Sequence, residues 1–229
     1  MHVPDGFLDA PTSAATGAAA VAVVGVALVK ARNELDDKTA PMAGLVAAFI
    51  FAVQMLNFPV GAGTSGHLMG GALAAVLVGP WTAVLCVSVV LLVQSLLFAD
   101  GGITALGTNI VLMAVTTVLV GWVAFRLLQA VLPKRLSLTP VQAGIGAFAS
   151  VPVAASVFVL LYALGGTADI PFHTLMTAMF GVHTLIGIGE GVITGLAVGA
   201  IIGVRPDLVH GARPVLARRE LVVKKPVVA

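Results

Sequence analysis

Met1-His2 opens the chain with an amine, a backbone amide nitrogen and an imidazole inside one dipeptide. With the amine unblocked and the amide deprotonated, these nitrogens can close a five-membered and then a six-membered chelate ring on one metal ion. That arrangement is close to planar and leaves one in-plane position open. Planar, nitrogen-rich sites suit Ni(II) or Cu(II). A fourth nitrogen must come from elsewhere, and His67 is the leading candidate. The competing readings are ordinary ones: an exposed His after an initiator Met, and an interfacial His bonded to a carbonyl.

A second group of polar residues lies in apolar surroundings. His183 and Glu190 are seven apart, two helical turns, and so share a face. A carboxylate inside a membrane span is costly and is by default a functional candidate. It could relay protons, ligate a cation, or lock helices together through Asn109, Gln94 or Arg126. Gln54, Asn57, Gln94 and Asn109 could join that network or hold His2 and His67 in place. Asp5 could bond an imidazole or hold the leader's fold, and with Asp9 it would attract cations. The loop 58–66 carries three glycines, Thr64 and Ser65. It either folds inward to line a polar cavity or serves as a flexible connector. Gly44, Ala48 and Ala52 form a small-residue stripe suited to close helix approach. The stripe fits packing within this chain or a docking face for another membrane subunit. The scattered methionines read as core filler.

Other chemistries are excluded. There is no HExxH, Walker, catalytic-serine, haem or flavin motif, and nothing that could hydrolyse ATP. The single Cys86 cannot form an internal disulfide. Net charge is only +2, with no basic stretch suited to nucleic acid.

The elements that must position these residues are membrane helices. Of 229 residues, 59% are hydrophobic and 10% charged, and mean hydropathy is +1.09. A soluble domain carries about 25% charged residues, so these are too few to cover a water-facing surface. Residues 1–11 are a polar leader with a Pro4-Asp5-Gly6 turn signal. They lack the positive start of a signal peptide. Spans are expected at 12–31, 40–57, 67–79, 81–98, 104–132, 140–164 and 172–203. The third is short for a roughly 20-residue crossing. The fifth is expected to start partly non-helical, Pro152 to kink the sixth, and the seventh to begin with a separate short helix. With seven spans, the loops rich in Lys and Arg fall on one side, cytoplasmic by the positive-inside rule. The leader and the loops at 58–66, Asp100 and Asp169 then lie outside, so His2 and His67 share a face. Residues 205–229 read as a basic cytoplasmic tail, mobile or ordered by a partner, with 1–204 as a single membrane domain.

The leader Met1-His2-Val3-Pro4-Asp5-Gly6-Phe7-Leu8, the Gly66-His67 pair and the run Gly187-Ile188-Gly189-Glu190-Gly191-Val192-Ile193-Thr194 together resemble the CbiM/NikM family. These are substrate-binding S components of energy-coupling factor (ECF) transporters for cobalt and nickel. The resemblance runs from residue 1 to about 204. It implies an all-α, seven-helix membrane protein with an outside N-terminus folded into the bundle and a cytoplasmic C-terminus. It also implies a square-planar site for Ni2+ or Co2+ made of the Met1 amine, the His2 amide, the His2 imidazole and the His67 imidazole. The implied partners are a transmembrane T component, two cytoplasmic ATPases and often a small accessory membrane subunit. The Pro4-Asp5 version of the leader resembles nickel members more. A reading of another class, an intramembrane enzyme or proton-coupled carrier built on His183 and Glu190, stays open at this point.

Overall fold

In lipid, backbone polar groups must be satisfied within the chain, and helices do this segment by segment. The computed structural model is accordingly mostly helical. It describes residues 1–37, 39–61 and 64–223, with backbone alone for Gly61 and 219–223. Lys38, Ala62, Gly63 and the last tail residues 224–229, with Lys224 and Lys225, lie outside the described residues. In chain order the helices are α1 (Ala10–Lys30), α2 (Thr39–Gln54), α3 (Gly71–Val78), α4 (Pro80–Leu97), α5 (Leu106–Asn109), α6 (Thr117–Val131), α7 (Thr139–Gly165), α8 (Phe172–Val204) and α9 (Arg213–Val223). A π-wound stretch, Ile110–Thr116, joins α5 and α6 into one continuous helix. Among the described residues, five helical stretches are long and apolar enough to cross a membrane: Ala10–Asn33, Pro80–Leu97, Leu106–Val131, Leu136–Gly165 and Phe172–Val204. α2 is apolar but shorter. Large apolar side chains such as Leu164, Val131 and Leu97 point outward, as a lipid-facing surface requires.

α3 is the axis of the bundle, and every one of its residues is buried. It is shorter than the expected 67–79 because residues 67–70 are not helical; Gly70 adopts φ 79°. Its far end stops at Gly79, also left-handed at φ 98°, and Pro80 then starts α4. α8 packs along α7 through glycines. A Cβ on Gly191 would stand 2.8 Å from the Gly144 carbonyl oxygen, so the backbones meet directly there. This explains half of the Gly187–Thr194 run: its small positions lie against α7, while Glu190 turns into the core.

Several expectations are corrected. The fold is not purely helical, and the 58–66 loop is not a loose connector. Strands β1 (Phe58–Gly61) and β2 (Thr64–Gly66) pair antiparallel, Phe58 with Gly66 and Pro59 with Ser65. α8 runs unbroken from 172 to 204, since no proline interrupts it. The segment after Arg205 is docked rather than mobile as far as it is described: Val209 and Ala212 are fully buried. Gln129 donates to the Gly211 carbonyl at 2.8 Å, and Arg213 reaches Asp36 at 3.3 Å. Gly44, Ala48 and Ala52 do not pack inside the chain. All three are exposed, and nothing stands near Gly44.

Candidate metal centre

The leader is sewn into the bundle from both sides. Asn109 takes the Val3 amide on Oδ1 at 2.7 Å and donates Nδ2 to the Val3 carbonyl at 3.1 Å. The Gly102 amide also donates to Val3 O, at 2.9 Å. Asp5 accepts the amide and hydroxyl of Thr104 at 2.7 and 2.5 Å. Those bonds hold Asp5 below the usual carboxylate range. On the other side, Asp9 N donates to Gly165 O at 2.7 Å and Thr167 N to Phe7 O at 3.1 Å. Asp9 itself caps α1 through the Thr12 amide at 2.8 Å.

These ties bury the first residue. Met1 is only 1% exposed. Burial lowers its amine from 8.0 to about 4, with Asp100 opposing the shift. At neutral pH the amine therefore presents a lone pair, not a charge. His2 Nε2 meets Gln94 Oε1 at 3.2 Å. An amide oxygen only accepts, so the neutral ring carries its hydrogen on Nε2 and leaves Nδ1 bare. That Nδ1 lies 3.1 Å from Asp100 Oδ1, off the line a hydrogen bond needs. Burial acts to raise the Asp100 carboxyl, but the facing His2 ring, then the amine and Asn57, outweigh it and hold it low.

His67 is fully buried, and its ring stacks on that of His2 with centroids 4.5 Å apart. Its Nδ1 donates to the Leu68 carbonyl at 2.9 Å, so Nε2 is the free nitrogen, and it has no partner. The segment carrying His67 is braced from below. Glu190 accepts the amides of Met69 at 2.6 Å and Gly70 at 2.9 Å, and Gln54 donates to Met69 O at 2.7 Å. Glu190 thus grips backbone at the start of α3. It does not bond Asn109, Gln94 or Arg126, as the helix-locking reading expected. With both oxygens taken, it is also poorly placed to relay protons with His183. His183 donates Nδ1 to Met179 O at 2.8 Å. Thr64 and Ser65 sit half-buried in β2, just before Gly66-His67.

Comparison with known proteins now has a site to bear on. The family pattern described as cobalt uptake substrate-specific transmembrane region matches residues 2–208.

The chain belongs to the CbiM family.

This CbiM-family chain is 40% identical over 85% of its length to an inferred metal transport protein of Haloquadratum walsbyi, of which it spans 86%. It is 36% identical to the fused nickel transport protein NikMN of Rhodobacter capsulatus. The match covers 85% of this chain but 59% of that longer relative. Among solved structures, a crystal structure of a transition metal transporter superposes with TM-score 0.82 at 32% identity, covering 98% of this chain and 100% of that one. The chain is thereby a membrane component of metal uptake, of a family whose members are named for transport.

Within this CbiM-family site, Asp100, Gly101 and Thr104 escaped the reading of the sequence. Asp100-Gly101-Gly102 looked like a turn and nothing more. The signal was its polarity on the face that the charge pattern assigns to the leader. Gly101 sits at φ 91°, and a Cβ there would stand 3.1 Å from His2 Cδ2 and 3.0 Å from Asn109 Nδ2. The π-wound stretch directly after Asn109 fits the general association of such bulges with functional positions. Among the described residues, no three His, Cys, Asp or Glu side chains gather as a metal site. A site that takes half its ligands from the backbone would not show in such a count.

Proposed function

We propose that this chain is the substrate-binding S component of an ECF-type importer, carrying Ni2+ or Co2+, with nickel favoured. The observation that carries it is the meeting, at the leader end, of a buried neutral amine with the unpartnered His2 Nδ1 and His67 Nε2. The cargo is held in a plane by the Met1 amine, the His2 amide nitrogen, His2 Nδ1 and His67 Nε2. Asn109, Gln94, Asp100 and Glu190 hold those ligands from behind, as outer partners of metal ligands generally do.

The topology proposed is seven spans, α1, α2, α3, α4, α5–α6, α7 and α8, with the leader outside and the C-terminus inside. The Arg213–Asp36 pair supports it by joining the segment after α8 to the first basic loop. Energy comes from partner ATPases through a T component, with a small accessory subunit where one is present. The exposed face of α2 at Gly44, Ala48 and Ala52 suits contact with a membrane partner. The R. capsulatus relative is named for nickel, which supports nickel as a cargo.

The test is titration of the purified protein with each metal, beside a version extended by a few residues before Met1. The extended protein should lose the planar d–d band and the affinity. Full nickel affinity with a blocked amine would remove the terminal chelate from consideration.

A further inference from the structure

Among the described residues, four imidazole nitrogens are buried without a hydrogen-bond partner: His2 Nδ1, His67 Nε2, His183 Nε2 and His210 Nδ1. His210 belongs elsewhere, beside Trp122. The other three lie at the leader end of the bundle, His2 against His67 and His183 across from Gly66, without a ready-made three-ligand cluster among the described side chains. Buried polar atoms in native proteins nearly always have partners, and an exception asks for an explanation such as an ion. His2 and His67 have theirs in the proposed plane. His183 does not.

Its geometry is defined. His183 is fully buried in α8. The Met179 carbonyl takes the hydrogen on Nδ1 at 2.8 Å, and a carbonyl only accepts, so Nε2 carries the lone pair. That atom faces the segment bearing His67: it stands 3.3 Å from where a Cβ on Gly66 would lie. Without a Cβ at Gly66, the segment bearing His67 lies against Nε2, with Ile186 and Val60 packed beside it. His67 and the amine are both close enough to His183 for charge on one to act on the other.

We propose that His183 Nε2 is a fifth nitrogen ligand, used by Co(II) and not by planar Ni(II). This rests on the planar reading of Met1, His2 and His67 above. Four strong nitrogen donors keep d8 Ni(II) in the plane, where a fifth donor gains little. Co(II), one electron short, takes a fifth nitrogen from outside the plane. With ligand types this similar, geometry decides between the metals. His183 is then the residue that admits cobalt to a site otherwise suited to nickel.

The experiment uses the full chain, loaded with Co(II) alone or Ni(II) alone. X-ray absorption of the Co(II)-loaded wild type should show five nitrogens, three of them imidazole; two imidazoles would overturn the proposal. His183→Ala should weaken Co(II) at least about tenfold and change Ni(II) less than about threefold, a split that metal-dependent geometry predicts. His210→Ala should change neither. If His183→Ala leaves both metals at wild-type affinity while His67→Ala loses both, the fifth ligand is wrong and the plane stands. If His67→Ala keeps both, the plane itself fails and the fifth ligand with it. Should His183→Ala not fold, the wild-type absorption decides alone.

Discussion

The buried carboxylates of the bundle and the buried histidines of its leader end are used differently. At the end away from the leader, Glu34 is 7% exposed. It takes the Trp81 amide at 3.2 Å and the Thr82 amide at 2.7 Å, at the start of α4. Glu190 does the same for the start of α3. Both carboxylates supply the acceptors that helix N-termini lack, and both are fully used. At the leader end, His2, His67 and His183 each spend one ring nitrogen on the protein and keep the other bare. Satisfied buried groups are structure; groups left half-satisfied at one place are capacity for a cargo. The two kinds should therefore separate under mutation.

The sharpest separation is expected from His67→Ala. Metal binding should disappear from calorimetric titration while the metal-free protein keeps its melting temperature within a few degrees. A large loss of metal-free stability would mean that His67 is an ordinary core residue. Glu190→Gln stands between the two classes. It replaces one acceptor with a donor facing an amide, which costs about 1–3 kcal/mol. Because it loosens the His67 segment, metal affinity should fall about 10–100-fold, as for other outer partners of metal ligands. Wild-type affinity in that variant would show that the His67 segment needs no brace.

Glu34→Gln is the matched control, with a similar loss of about 1–3 kcal/mol in denaturant or heat and no change in metal affinity. A metal effect there would couple the two ends and blur the distinction. The smallest effect is on pH. The Met1 amine is lowered from 8.0 to about 4 in the fold. Between those values the unfolded chain binds more protons than the folded one, so metal-free stability should rise with pH across that window. Acetylation of the amine should flatten the rise. Metal affinity should fall on acidification too, since the ligating nitrogens must give up protons.

Much of this architecture was readable before any coordinates. The apolar runs located each long helix to within a few residues, because a chain with so few charges has no other way to satisfy its backbone in lipid. Met1-His2 and His67 stood out because amine, amide and imidazole are donors by type. The misreadings share one cause. Whether residues 67–70 are helix depended on Glu190, more than a hundred residues away. Whether 58–66 is a loop depended on a two-stranded pairing, and whether the segment after Arg205 is free depended on Gln129 and Asp36.

The sequence by itself determined the class of molecule, the rough limits of its long apolar helices, and which residue types could bind a metal. Composition and local chemistry are properties of the chain and need no partner. Only the tertiary structure decided that Asp100 faces His2, that Asn109 holds Val3, and that His2, His67 and His183 each keep a bare ring nitrogen at the leader end. Those facts rest on contacts between segments far apart in the chain, and nothing local in the sequence encodes which atom of a histidine is left without a partner.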